Sequence, residues 1–70
     1  MSDNIELTIN GKQKQFSSGV TIASLLDELC LNAKQVAVEV NLELVPRESH
    51  AAHTLAEGDS IEVHTLVGGG

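Results

Sequence analysis

The sequence predicts an α+β fold, a mixed five-stranded sheet with one helix packed across one face. Three observations predict it. Segments with period-two apolar alternation, Ile5-Leu7-Ile9 and Ile61-Val63, stand far apart near the two ends of the chain. Between them Ile22, Leu25, Leu26 and Leu29 fall at i, i+3, i+4 and i+7, a single helical stripe. Asn10-Gly11 follows the first alternating segment at once, and this pair is the strongest short signal for a hairpin turn, because a type I′ turn needs positive φ at both central residues.

The elements follow in order. Ile5 to Ile9 form a half-buried strand, with Glu6 and Thr8 on the opposite phase. A two-residue turn would pair Ile5 with Phe16, Leu7 with Lys14 and Ile9 with Lys12 on the return strand, Lys12 to Ser17; a slipped register is the alternative that the sequence leaves open. That puts two lysines on the apolar side, the mark of an edge strand whose long side chains reach water and discourage pairing with other chains. Gly19 punctuates the chain before a helix over residues 21–31, with Thr21 as N-cap, Asn32 near the C-cap, and Asp27 and Glu28 facing away. Val36, Val38 and Val40 alternate with Ala37 and Glu39 in a third strand. A short turn at residues 41–43 leads to a brief fourth strand, Leu44-Val45, which Pro46 stops. Residues 47–53 read as a loop with one helical turn, Leu55 as an isolated apolar anchor, and Glu57-Gly58-Asp59 as a turn into the last strand, residues 60–66. The order β-β-α-β-β-β, with the first and last strands as parallel central neighbours, is the β-grasp arrangement. Leu25, Leu29, Val38, Ile61 and Val63 are expected in its core.

Composition bounds the function. Seventy residues make one domain, read as a body over residues 1–66 and a flexible glycine tail over 67–70. Ten acids against four bases give a net charge of −6, with the excess concentrated after residue 40, where Arg47 is the only base. Phosphate backbones and anionic membranes repel such a surface, so neither nucleic acid nor membrane is an expected partner. Phe16 is the only aromatic residue, which leaves no platform for stacking bases. One cysteine, no basic or apolar leader at the start and no long apolar run point to the cytoplasm.

Few residues suggest chemistry. Cys30 continues the helical stripe from Leu26 and reads as a buried, inert core thiol. His50 and His53 are two ligands without a third, so they read as surface histidines and no metal is expected. No GxxxxGK[ST] loop and no nucleophile–base pair at a credible spacing are present, so the chain is expected to supply no catalytic residue of its own. Gly68-Gly69-Gly70 is the informative feature. A thread without side chains fits a narrow channel in another protein, and its one functional group is the α-carboxylate of Gly70. A carboxylate is inert until activated, and adenylation is the usual route. A frayed terminus is the plainer reading of three glycines taken alone. Leu66 and Val67, exposed apolar residues beside that end, suggest a docking site, with His64 and Glu62 on the face away from the helix. Glu43, Glu57 and Glu62 are candidates for steering a basic partner.

Val40-Asn41, Leu44-Val45-Pro46-Arg47-Glu48, the run Leu55-Ala56-Glu57-Gly58-Asp59-Ser60-Ile61-Glu62-Val63 and the closing Val67-Gly68-Gly69-Gly70 together resemble the ThiS-type ubiquitin-like sulfur carriers over nearly the whole chain. His50 stands where many such proteins carry a bulky aromatic residue. The resemblance implies a protein co-substrate rather than an enzyme. A ThiF-like adenylyltransferase, related to ubiquitin-activating enzymes, would use ATP to adenylate Gly70. A persulfide, ultimately from a cysteine desulfurase system, would convert the adenylate to a thiocarboxylate. A ThiG-like thiazole synthase would accept the sulfur while building the thiazole of thiamine. No cofactor would be bound by the carrier itself. Two other readings stay open: the small subunit of molybdopterin synthase, which also donates thiocarboxylate sulfur, and a β-grasp binding module that never uses its tail.

Overall fold

The first hairpin forms in the predicted register. β1 (Asn4–Ile9) and β2 (Lys12–Ser17) are antiparallel, with Ile5 opposite Phe16, Leu7 opposite Lys14 and Ile9 opposite Lys12. Asn10 and Gly11 make the turn at φ 50° and 83°. The computed structural model describes residues 3–66 of the chain. The expected tail, residues 67–70, lies outside the described residues.

α1 (Ile22–Glu28) crosses one face of the sheet and buries Ile22, Leu25 and Leu26. All its first amide groups find acceptors. Thr21 Oγ1 accepts from Ser24 N at 3.2 Å, while the carbonyls of His53 and His50 accept from Ile22 N and Ala23 N, each at 3.1 Å. The helix is shorter than the periodicity of residues 21–31 predicts. Its end is a Schellman turn: Cys30 takes a left-handed conformation, φ 60°, its amide donates to the Asp27 carbonyl, and the Leu31 amide donates to the Leu26 carbonyl. Leu29 becomes the C-cap and is half-buried rather than core. Asn32 caps the short 3₁₀ turn Ala33–Gln35 instead of closing the helix.

β3 (Val36–Val40) and β4 (Glu43–Val45) form a second hairpin, turned by Asn41 and Leu42 at φ 51° and 71°. A 3₁₀ turn, Arg47–Ser49, follows Pro46, and Leu55 anchors the long connection in the core. β5 (Ser60–Thr65) enters the sheet between β1, to which it is parallel, and β3, to which it is antiparallel. The order is β2-β1-β5-β3-β4, the predicted β-grasp, with β2 at one edge. Leu7, Val38 and Ile61 from the sheet meet Leu25 and Ile22 from the helix with no exposed surface. Val63, expected in the core, packs against it but is half-buried: its ladder partner Val38 is fully buried, while on its other side the pairing with β1 has already ended at Ile9 and Ile61.

Candidate functional site

β5 is the strand that leads toward the glycine tail, and the fold grips it from both sides. Its ladder with β1 is short, Thr8 with Ser60 and Ile9 with Ile61. Beyond that point β1 turns away, and the Asn10 side chain takes its place. Asn10 Oδ1 accepts from Val63 N at 2.8 Å and Asn10 Nδ2 donates to Val63 O at 3.3 Å. On the other side β3 pairs with β5 from Val40–Ile61 to Val36–Thr65, and the Leu66 amide donates to the Gln35 carbonyl at 2.8 Å. The start of β5 is fastened by Asn41, whose carboxamide bridges Ser60 N and Asp59 Oδ1. Asp59 Oδ2 in turn accepts from Ala56 N at 2.9 Å. The segment is therefore rigidly held up to Leu66.

Strand alternation then sorts the side chains. Ile61 points to the helix, so Glu62, His64 and Leu66 share the phase of the opposite, open face. Leu66 is 54% exposed, so it does not complete the core. The structure thus brings three of the predicted docking residues to one face, and the fourth, Val67, lies outside the described residues. Glu39, which the sequence did not single out, stands directly opposite Glu62. His64 Nε2 lies 3.4 Å from Glu62 Oε1 and 3.9 Å from Glu39 Oε2. Leu44, opposite Glu39 on β4, is 66% exposed and continues the face. Its signal was present in the sequence: of two successive apolar residues in a strand, Leu44 and Val45, only one can face the core. The face therefore has leucines at its margins and ionisable groups at its centre.

Of the other acids, Glu57 is engaged structurally, its carboxylate accepting from Glu6 N at 2.9 Å, whereas Glu43 is exposed on the phase of Val40.

Two sequence expectations fail here for identifiable reasons. Cys30 is exposed, not a core thiol, because the Schellman turn ends the helix before the stripe reaches it. His50 is buried, not on the surface: its ring Nε2–H donates to the Val45 carbonyl at 3.1 Å, and its backbone carbonyl holds α1. It sits where the 3₁₀ turn meets the start of α1, and its Nδ1 is buried without a hydrogen-bond partner among the described residues. His53 is half-buried, its carbonyl also on the helix N-terminus. Gly68, Gly69 and Gly70, the proposed reactive end, lie outside the described residues.

Comparison with known proteins gives a consistent set of matches. A ThiS family model matches residues 6–70. The sulfur carrier protein ThiS of Escherichia coli is 30% identical over 66 residues, covering 94% of this chain and 100% of that protein. A thiazole synthase from Paramagnetospirillum magneticum is 42% identical over 66 residues, which are 94% of this chain but 20% of that protein; the chain spans about a fifth of its length. A crystal structure of a thiamine biosynthesis protein (ThiS) from Geobacter metallireducens superposes with a TM-score of 0.82 at 35% identity, over 94% of this chain and 100% of that one.

Proposed function

The chain belongs to the ThiS family, and from that premise we propose that it is a sulfur carrier of thiamine biosynthesis that works through the carboxyl group of Gly70. In the first step a Gly70 carboxylate oxygen attacks the α-phosphorus of ATP in a ThiF-like partner, and pyrophosphate leaves. The terminal sulfur of a protein persulfide then attacks the acyl carbon, and AMP leaves. A thiol cleaves the resulting S–S bond, supplying two electrons and releasing the thiocarboxylate. Thiazole synthase is the acceptor. The carrier contributes position rather than catalysis: Gly68 and Gly69 add no bulk to the thread, and Leu66, Val67, His64 and Glu62 dock the partner.

The observation that carries this reading is the anchorage of β5. Hydrogen bonds on both sides of the strand hold it up to Leu66 N, so the residues after it start from a fixed point. A fixed base matters because reacting groups displaced by even about 1 Å can lose about 10²-fold in rate. Thiazole synthase is favoured as acceptor because a segment 42% identical to this chain occurs within a protein of that name.

The test is a transfer assay on the thiocarboxylated chain, read by intact mass. Incubation with thiazole synthase and its substrates is expected to return the carrier to its carboxylate mass. Incubation with the molybdenum-cofactor precursor and its synthase partner is expected to leave the sulfur in place. Transfer only in the second mixture would replace the thiazole reading with the molybdopterin one, and failure to load at all, beside a control carrier that loads, would leave a binding module.

A further inference from the structure

The centre of the open face holds a group of ionisable side chains, Glu39 beside the docking-face residues Glu62 and His64, whose mutual arrangement the sulfur-transfer reading does not explain. Glu39 on β3 and Glu62 on β5 are opposed in antiparallel register. Like charges directly across a ladder destabilise it. His64 lies two residues along β5 on the same face, with its ring nitrogen at 3.4 Å from one carboxylate and 3.9 Å from the other. One donor atom from each of the three side chains lies within 4.8 Å of the others.

We propose that Glu39, Glu62 and His64 form a binding site for a divalent cation of the zinc class. Zinc binds imidazole nitrogen and carboxylate oxygen at about 2.0–2.2 Å, which places tetrahedral donors roughly 3.3–3.6 Å apart. The His64–Glu62 separation of 3.4 Å already falls there, while Glu39 stands 3.9 Å from His64 and the carboxylates lie within 4.8 Å of each other, so binding requires the Glu39 side chain to swing inward. The donor set selects the metal. One imidazole with two carboxylates suits zinc, whereas calcium takes six to eight oxygens and magnesium keeps its waters. The backbone under the site is stiff, because β5 and β3 are both interior strands of the sheet. Access is open: the side chains of Glu39, Glu62 and His64 are 34%, 45% and 53% exposed, and the residue opposite His64 is the small Ala37. Three protein donors leave a fourth position for water or for a ligand from another protein. A bound cation would also neutralise the opposed carboxylates. This inference stands whether or not the chain carries sulfur.

The test is a titration of the full chain with zinc chloride, followed by calorimetry and by amide shifts, with Cys30→Ser run in parallel to remove the exposed thiol as a competing ligand. Saturable binding at one site is expected, with shifts centred on residues 39, 62 and 64, unchanged in Cys30→Ser, and with magnesium chloride giving no saturation. Glu62→Gln and His64→Asn are each expected to weaken binding by about tenfold or more, the loss of one of three protein donors. Glu39→Gln supplies a readout of opposite sign: without metal its Tm rises as the like-charge contact goes, while the zinc-induced rise in Tm shrinks. Absence of saturable zinc binding, binding that survives these substitutions, or binding that maps to Cys30, His50 or His53 would overturn the site.

Discussion

Replacing Asn10 with glycine isolates the side chain that substitutes for a missing strand. Glycine accepts the φ of 50° that Asn10 adopts, so the turn survives and only the carboxamide is lost. Val63 N then loses its 2.8 Å acceptor and Val63 O its 3.3 Å donor. A net neutral hydrogen bond contributes about 0.5–1.5 kcal/mol, and an amide left without an acceptor costs about 1–3 kcal/mol when fully buried. Val63 is half-buried, so water recovers part of that cost, and the longer 3.3 Å bond adds little. The expected loss is about 1–2 kcal/mol. At roughly 4–8 °C per kcal/mol for a domain of this size, the Tm should fall by about 4–16 °C. Urea unfolding followed by far-UV circular dichroism measures it, since the chain has no Trp or Tyr. Hydrogen exchange adds the local signature: the Val63 amide should lose more protection than that of Val38 in the β3 core. Asn10→Ala should lose about 1 kcal/mol more than Asn10→Gly, because a Cβ is unfavourable in the left-handed region. Asn10→Gly as stable as the parent, with Val63 protection unchanged, would refute the claim that the carboxamide holds β5.

Three further outcomes follow from other parts of the structure. Leu25→Ala removes a side chain with no exposed surface and is expected to cost about 2–5 kcal/mol, read as a shift of the urea midpoint at constant m-value. Cys30→Gly should stabilise the chain by up to about 1 kcal/mol, because glycine adopts φ 60° freely at the helix terminus; an unchanged or lower Tm would argue against the Schellman turn there. Val67→Asp should weaken binding to the activating partner in a pull-down or calorimetric assay while leaving Tm nearly unchanged, and weakened binding that merely tracks a fallen Tm would contradict the docking role.

The fold was readable because local and long-range signals agreed. Asn10-Gly11 set the turn type, and the alternation of Ile5, Leu7 and Ile9 set which face of β1 is buried, while the register of the poorly patterned return strand stayed open until the structure placed Phe16 opposite Ile5. Val38 and Ile61 were readable as core for the same reason. The helix end was not. Its stop is made by Cys30, where glycine or asparagine is usual, so the apolar stripe ran on past the true terminus and carried Cys30 into the core on paper. His50 was misplaced because its burial depends on carbonyl groups of a loop meeting the N-terminus of α1, a contact between segments that no periodicity encodes. At the site, Glu62, His64 and Leu66 could be assigned to one face from alternation alone. Their neighbour Glu39 could not, because its place beside them depends on the register between β3 and β5, whose residues are more than twenty positions apart. The second role of Asn10 was hidden for the same reason: the turn explains the residue fully until the position of β5 is known.

The central claim is that sulfur enters at the carboxyl group of Gly70 and that its position decides the chemistry. Deleting Gly70 retracts the terminal carboxylate by about 3.3–3.6 Å, one residue of extended chain, while leaving a carboxylate on Gly69. The most direct test is the intact mass of the full chain and of the chain lacking Gly70, each incubated with ATP, the activating enzyme and a persulfide donor. The account predicts that the full chain gains the mass difference between sulfur and oxygen and that the shortened chain gains nothing, with both equally folded by circular dichroism. Equal loading of the two chains, or no gain by the full chain where a control carrier loads completely, would contradict it.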